Sequence, residues 1–162
     1  MEISNLRPVS GISDVQAKSI SSALNVLLAN EYALFTKALN YHWNITGPRF
    51  KSLHNFLEEQ YKSLLTTMDD IAERVRIVGE YPISTVERFN EVISLEEKNG
   101  KFLSSNEMIK DLLDTNIKIQ HFIKETLDEK SMFENDYGTE DFLVGLIRQH
   151  EKTTWMLKSY LD

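Results

Sequence analysis

The chain has 162 residues, of which 41% are hydrophobic and 27% are charged, so it is long enough for one well-buried core. Its 25 acidic and 18 basic residues give a formal net charge of -7, which argues against free nucleic acid as the main partner. The absence of cysteine excludes disulfides, thiolate metal sites and cysteine nucleophiles. Neither an apolar segment of membrane-spanning length nor a secretion signal within residues 1–20 is recognisable, so we expect a cytoplasmic protein.

Apolar residues recur at three- and four-residue steps through four long segments, which predicts an all-α fold. The first covers about residues 13–45, and the second covers about residues 50–78. The third follows the capping-box sequence 104–107 and fades near residue 130. The fourth opens after residues 138–139 and has Lys158 in its last turn, where the helix dipole favours a cation.

The connections predict how these helices are arranged. A short turn at residues 47–48 and a short loop at 131–138 make the first helix antiparallel to the second, and the third antiparallel to the fourth. The link over residues 80–104 is 25 residues long and contains a second capping-box pattern, Ser84 to Glu87, which predicts a short helix outside the bundle. We therefore expect residues 1–162 to form a single four-helix bundle with one long crossover, preceded at residues 1–12 by a short flexible tail.

Five polar residues on the first two helices are candidates for metal binding. They are His42 at the end of the first helix and, on the second, the pairs His54 with Glu58 and Asp69 with Glu73. Each pair is spaced by four residues and shares one helix face. Imidazole and carboxylate together suit Fe(II), Zn(II) and similar ions. Any single member taken alone is more readily explained as a surface or locally paired residue, so it is the group of five that favours a metal site.

Helix geometry limits how these pairs can act together. Glu58 and Asp69 fall on nearly the same face but lie roughly 16 Å apart along the axis, because each residue rises about 1.5 Å. One straight helix therefore cannot bring both pairs to one ion. A second, antiparallel copy across a two-fold axis would bring the later pair of one copy to the earlier pair of the other. The sequence thus predicts a dimer whose interface holds the metal.

The other two histidines lack a metal-binding pattern. Di-iron sites inside a single bundle use Glu-x-x-His pairs, and no histidine of this chain has a glutamate three residues before it. We therefore expect no iron centre within the bundle. His121 and His150 are assigned to solvated or hydrogen-bonded structural roles.

Two segments of the chain resemble a known family. The sequence HWNITG at 42–47, then His54 and Glu58, and finally MDDIAER at 68–74 resemble, in residue type and spacing, the Dps family of DNA-binding proteins from starved cells, or mini-ferritins. The resemblance extends over nearly the whole chain. It implies an all-α, ferritin-like four-helix bundle with one long crossover containing a short helix, assembled into a hollow dodecamer.

The resemblance also implies a ferroxidase that protects against oxidative stress. It would oxidise Fe(II) to Fe(III), preferably with hydrogen peroxide rather than O2, and store the ferric mineral in the shell. The implied ligands are His42, His54 and Glu58 of one subunit, with Asp69 and Glu73 of its neighbour. Many members have Asp where this chain has Glu58, which leaves the second iron position open. For Trp43, trapping a stray radical and simple packing are both open.

An acidic segment is a candidate for the iron pathway. Residues 128–141 contain six acids and one lysine, and the resemblance places acidic pores near the start of the fourth helix. The candidates are Asp136, Glu140 and Asp141, since a field of one sign concentrates cations at a narrow opening. A solvated acidic loop is the equal alternative.

The sequence leaves other functions open. DNA binding is expected to be weak, because residues 1–19 carry no net charge and a shell would multiply the protomer's charge of -7. One alternative is a helical assembly or interaction protein without catalytic activity. Another is a shell that binds Zn or Mn without redox turnover.

Overall fold

The computed structural model describes residues 8–96 and 102–162, and within these ranges the protein is helical and contains no strand. The helices are α1 (Asp14–Asn44), α2 (Phe50–Ile77), α3 (Val86–Val92), α4 (Ser105–Asp128) and α5 (Tyr137–Ser159), with a turn of 3-10 helix (Lys130–Phe133) before α5. The predicted all-α bundle with a short helix in its crossover is confirmed. In the described ranges no helix has both the length and the apolar character needed to cross a bilayer.

Local capping explains where the helices begin. Ser104 and Glu107 form the predicted capping box at α4. At α3 the cap is Thr85, whose side chain accepts from the amide of Arg88. The cap therefore lies one residue after Ser84, and the predicted box of Ser84 with Glu87 is wrong. Either hydroxyl of the neighbouring Ser84 and Thr85 can cap a helix, so the sequence alone does not choose between them.

The core lies between α1 and its neighbours. α1 packs along α2 and also contacts α4 and α3, while α4 packs along α5. Leucine and isoleucine side chains from all four long helices fill the interior. No residue of α3 is buried, and its Phe89 stacks on Tyr32 of α1 with ring centroids 4.7 Å apart, which places α3 on the outside of the bundle.

The start of the chain is partly attached to this bundle. Residues 1–12 are predicted as a flexible tail, but the amide of Val9 donates to the carbonyl oxygen of Ile77 at 3.2 Å, and Ile12 is buried in the core. The hydrogen bond of Val9 and the burial of Ile12 attach these two positions to the bundle. The rest of the predicted tail, residues 1–7, lies outside the described residues, as do residues 97–101 of the crossover.

Candidate metal centre

His42 and His54 face each other where α1 ends and α2 begins. Their rings are stacked, with centroids 3.8 Å apart. The Nδ1 of His42 donates to the carbonyl oxygen of His54 at 2.9 Å, and the Nδ1 of His54 donates to the carbonyl oxygen of His42 at 3.0 Å. A carbonyl only accepts, so each neutral ring carries its proton on Nδ1. Both Nε2 lone pairs are therefore free for a metal ion.

The turn between the helices creates this arrangement. Gly47 has φ +103°, a conformation that other residues rarely adopt, and Ile45 is buried at the end of α1. The chain therefore reverses over a few residues. This short reversal brings the last turn of α1 against the first turn of α2.

Two aromatic rings flank the histidine pair. Phe50 stacks on His54 with centroids 5.0 Å apart, and Tyr61 meets His42 edge to face at 5.2 Å. They restrict the orientation of both imidazoles, because stacked and edge-to-face ring pairs are favoured geometries. Sequence reasoning missed Phe50 and Tyr61 as site residues. Their spacing from His54, one turn before it and two turns after it, was the available signal.

Glu58 lies one turn after His54 and forms an ion pair with Lys62, one turn further on. Its pKa is lowered from the ordinary value of 4.5, chiefly by the hydrogen bond from Lys62 and the charge of that ammonium, with smaller contributions from His42 and His54. Glu58 is therefore a carboxylate at neutral pH, as a metal ligand must be. Lys62 was not recognised from the sequence, although an i, i+4 Glu–Lys spacing predicts such a pair.

Asp69 and Glu73 lie further along α2 and are exposed. Glu58 and Asp69 are separated by roughly 16 Å along the helix axis at a rise of about 1.5 Å per residue, as expected for a helix without a break. Within residues 8–96 and 102–162, no three His, Asp or Glu side chains come together as a metal-binding group. The protomer therefore brings His42 and His54 together, whereas Asp69 and Glu73 lie apart from them along α2.

Two large apolar side chains near these donors are exposed. Trp43, next to His42, is 70% exposed, and Leu65 of α2, between Glu58 and Asp69, is 58% exposed. Leu65 lies on the same face of α2 as Glu58 and Asp69, because it is seven residues after the first and four residues before the second. This face of α2 therefore combines polar donors at both ends with an apolar centre.

The other two histidines are structural or exposed. His121 is exposed, whereas His150 of α5 is only 2% exposed. Its Nε2 lies 2.7 Å from Oε1 of the fully buried Glu31 on α1, and its Nδ1 lies 2.8 Å from Oδ1 of Asn116 on α4. The hydrogen-bonded role expected for His150 matches this geometry. Glu31 and Asn116 were not singled out from the sequence, since each occurs there as an isolated polar residue within an apolar pattern.

The charge of His150 depends on its partner. Burial opposes protonation, but the charge of Glu31 and its hydrogen bond outweigh this effect and raise the pKa of His150 above 6.5. The amide of Asn116 donates to the carbonyl of Leu112, which directs its oxygen toward His150. Both ring nitrogens can therefore act as donors, one to Glu31 and one to Asn116. This group ties α1, α4 and α5 together inside the bundle.

The acidic segment divides into buried and exposed acids. Asp136 is 3% exposed and caps α5, accepting from the amide of Thr139 at 3.1 Å and from its hydroxyl at 2.7 Å. Its carboxylate is thus engaged in capping, which leaves Asp136 the least available of the three predicted pore acids. Glu140 pairs with Lys130 at 3.3 Å, while Asp141 is exposed.

Comparison with known proteins gives one consistent result. The model of the ferritin-like domain matches residues 21–162. An uncharacterized low temperature-induced protein of Nostoc sp. is 38% identical over 94% of this chain and 85% of its own length. DNA protection during starvation protein 2 of Bacillus anthracis is 31% identical over 90% of this chain and 98% of its own length. The crystal structure of a Dps protein from Vibrio cholerae O1, described as a member of a superfamily of ferritin-like diiron-carboxylate proteins, superposes with a TM-score of 0.88 at 27% identity, covering 98% of this chain and 99% of that one.

Proposed function

This chain belongs to the Dps family of ferritin-like proteins, and we propose that it is a ferroxidase and iron-storage protein with its metal sites between subunits. His42, His54 and Glu58 would supply one half of each site, and Asp69 and Glu73 of the partner subunit the other half. The observation that carries the proposal is the preorganised histidine pair, whose Nδ1 atoms are both engaged by carbonyl oxygens. Both Nε2 atoms are thereby available for metal.

A single antiparallel register of two α2 helices would complete the site. His54 and Glu58 are four residues apart, and so are Asp69 and Glu73. A two-fold register that sets Glu58 opposite the partner's Asp69 therefore also sets His54 opposite the partner's Glu73. The same axis generates an identical site at the other end of the interface. The exposed Leu65 lies near the middle of this interface, where the two copies would cover it.

The proposed reaction uses iron as the substrate and hydrogen peroxide as the preferred oxidant. Two Fe(II) ions each give one electron to one peroxide, which takes up two protons and leaves as two waters. This two-electron step avoids the one-electron cleavage that releases hydroxyl radical. The carboxylates of Glu58, Asp69 and Glu73 stabilise the Fe(III) product, because hard oxygen ligands suit the harder ion. The imidazoles of His42 and His54 complete the ligand set through their Nε2 atoms.

The protein would assemble into a hollow dodecamer in the cytoplasm that stores the ferric mineral. For iron uptake, the exposed Asp141 is the acid best suited to a pore, because it is free to face solvent in the protomer. Glu140 is the second candidate, with Lys130 already beside it. DNA binding by such a shell is proposed to be weak, since the chain carries a net charge of -7.

Replacing the second carboxylate pair tests the proposal directly. Asp69→Asn with Glu73→Gln preserves shape and removes two charges, so we expect Fe(II) oxidation by peroxide to fall at least about a hundredfold while the assembly survives, since an anchoring half of each site is lost. The measurements are the rate of ferric absorbance growth, the iron-to-peroxide stoichiometry and light scattering. The matched control is Asp70→Asn, which removes one exposed charge from a neighbouring position on a different face of α2.

Each outcome separates the candidate functions. Unchanged oxidation kinetics in the double variant would contradict the proposed site. Assembly without any metal binding would favour the interaction protein without catalytic activity. Tight Zn or Mn binding without peroxide consumption would favour a redox-inactive shell, whereas a ratio near two Fe(II) per peroxide supports the ferroxidase.

A further inference from the structure

Among the candidate ligands of the described protomer, Glu58 differs in already having a cation of the protein beside it. Its carboxylate forms an ion pair with the ammonium of Lys62. In His42 and His54, by contrast, Nδ1 bonds to a backbone carbonyl oxygen and Nε2 is left open. Resting on the proposed function, we propose that Lys62 is the resident counter-ion of Glu58, which incoming Fe(II) must displace. Lys62 thereby sets the affinity of the one metal position that uses Glu58.

The position of Lys62 on α2 supports this role. It lies one turn from Glu58 on the side toward Leu65 and Asp69, so it occupies the same face as the ligands. In the register that pairs Glu58 with the partner's Asp69, Lys62 falls opposite the partner's Leu65. The ammonium would thus lie at the inner edge of the site, within reach of a carboxylate from each subunit.

Charge explains why a lysine belongs there. The completed site gathers three carboxylates, from Glu58 and from Asp69 and Glu73 of the partner subunit, and their mutual repulsion is largest when no metal is bound. An ammonium beside Glu58 reduces that repulsion in the metal-free assembly. An exposed ion pair of this spacing is weak, but the pair strengthens when an interface removes water around it. The metal ion must then compete with a protein cation for the same oxygens.

The effect should be confined to one of the two metal positions. An ion held between His54 and the partner's Glu73 displaces no cation. The ring proton of His54 is on Nδ1, where it bonds to a backbone carbonyl oxygen, so Nε2 meets the ion without a proton or a protein cation in the way. An ion that uses Glu58 must separate it from Lys62. We therefore expect two binding steps of unequal affinity, with Lys62 acting on the weaker one.

The test is anaerobic calorimetric titration of the assembled protein with Fe(II), repeated with redox-inert Zn(II). For Lys62→Gln we expect the weaker step to tighten about threefold to tenfold and the stronger step to stay unchanged, because the competing charge is removed. Lys62→Arg retains the charge and should remain within about twofold of the parent affinity. The matched control is Lys110→Gln, which removes the lysine of the comparable i, i+4 pair with Asp114 on α4.

The outcomes distinguish this inference from the proposed function. If the parent protein fails to bind two ions per site, the proposed function is wrong. If it binds two and Lys62→Gln binds them with parent affinities, only the role of Lys62 is wrong. Weaker binding by Lys62→Gln, or loss of its assembly by light scattering, would also overturn the inference, by making Lys62 a residue that builds the site or the interface. Lys62 has a side chain that is 62% exposed, so its replacement removes no core contact.

Discussion

Two histidine and carboxylate groups in this protein use similar residue types for different purposes. Inside the bundle, His150 meets Glu31 at 2.7 Å, and both side chains are almost fully buried. At the junction of α1 and α2, the stacked pair of His42 and His54 lies beside Glu58 at a partly exposed surface. In the first group both ring nitrogens face protein oxygens, and in the second each ring has one nitrogen left over.

This difference decides which group can bind a substrate ion. A histidine whose two nitrogens are engaged within the core contributes to the stability of the fold. Removing it would leave buried polar groups without hydrogen-bond partners, which destabilises the folded state. A histidine held by one nitrogen is oriented but still has a lone pair. Residue type alone therefore does not identify a ligand. The ring must also be held in place and keep one nitrogen without a protein partner.

The largest effect is expected on stability, from the buried group. His150→Ala leaves Glu31 buried without its partner, so we expect the free energy of unfolding to fall by about 3 kcal/mol and the melting temperature by about 6–12 °C. Thermal unfolding at fixed protein concentration measures this, because assembly couples to stability. Metal binding by the variant that remains folded should match the parent protein. The control is His121→Ala at an exposed position, with a change within about 0.5 kcal/mol.

The reverse result is expected for the surface group. His54→Gln removes one Nε2 ligand, so Fe(II) oxidation should slow by at least about tenfold, while stability changes by less than about 1 kcal/mol, because the side chain is only half-buried. Stopped-flow absorbance and thermal unfolding measure the two effects. If His54→Gln lost stability but oxidised iron at the parent rate, the histidine pair would be structural. The contrast between the buried group of His150 and this surface pair would then be wrong.

A smaller effect is expected in the pH dependence of stability. The pKa of His150 is raised above 6.5 in the folded protein, so the folded state holds a proton that the unfolded state releases. The contribution of this group is complete below pH 6.5 and is lost as the pH rises through the raised folded-state pKa. The melting temperature of the parent protein should therefore fall over this range more than that of His150→Gln. Parallel curves for the two proteins would contradict the charged pair.

Sequence reasoning recovered the helical plan because apolar periodicity and capping are local properties. The capping box of Ser104 and Glu107 is an example, since both partners lie within one turn. The same local patterns predicted a capping box at Ser84 where Thr85 is the cap, and they made the buried Asp136 a pore candidate. An acid that caps a helix and an acid that lines a pore read alike in the sequence, and only burial separates them.

Donor spacing along α2 was determined by the sequence alone, because helix geometry converts residue numbers into faces and axial distances. From this came the separation of Glu58 from Asp69 and the expectation of a second subunit. The tertiary structure decided which ring atoms of His42 and His54 remain free, since this depends on the turn that brings α1 against α2. It also decided that His150 is paired in the core, because its partners lie 34 and 119 positions away in the chain.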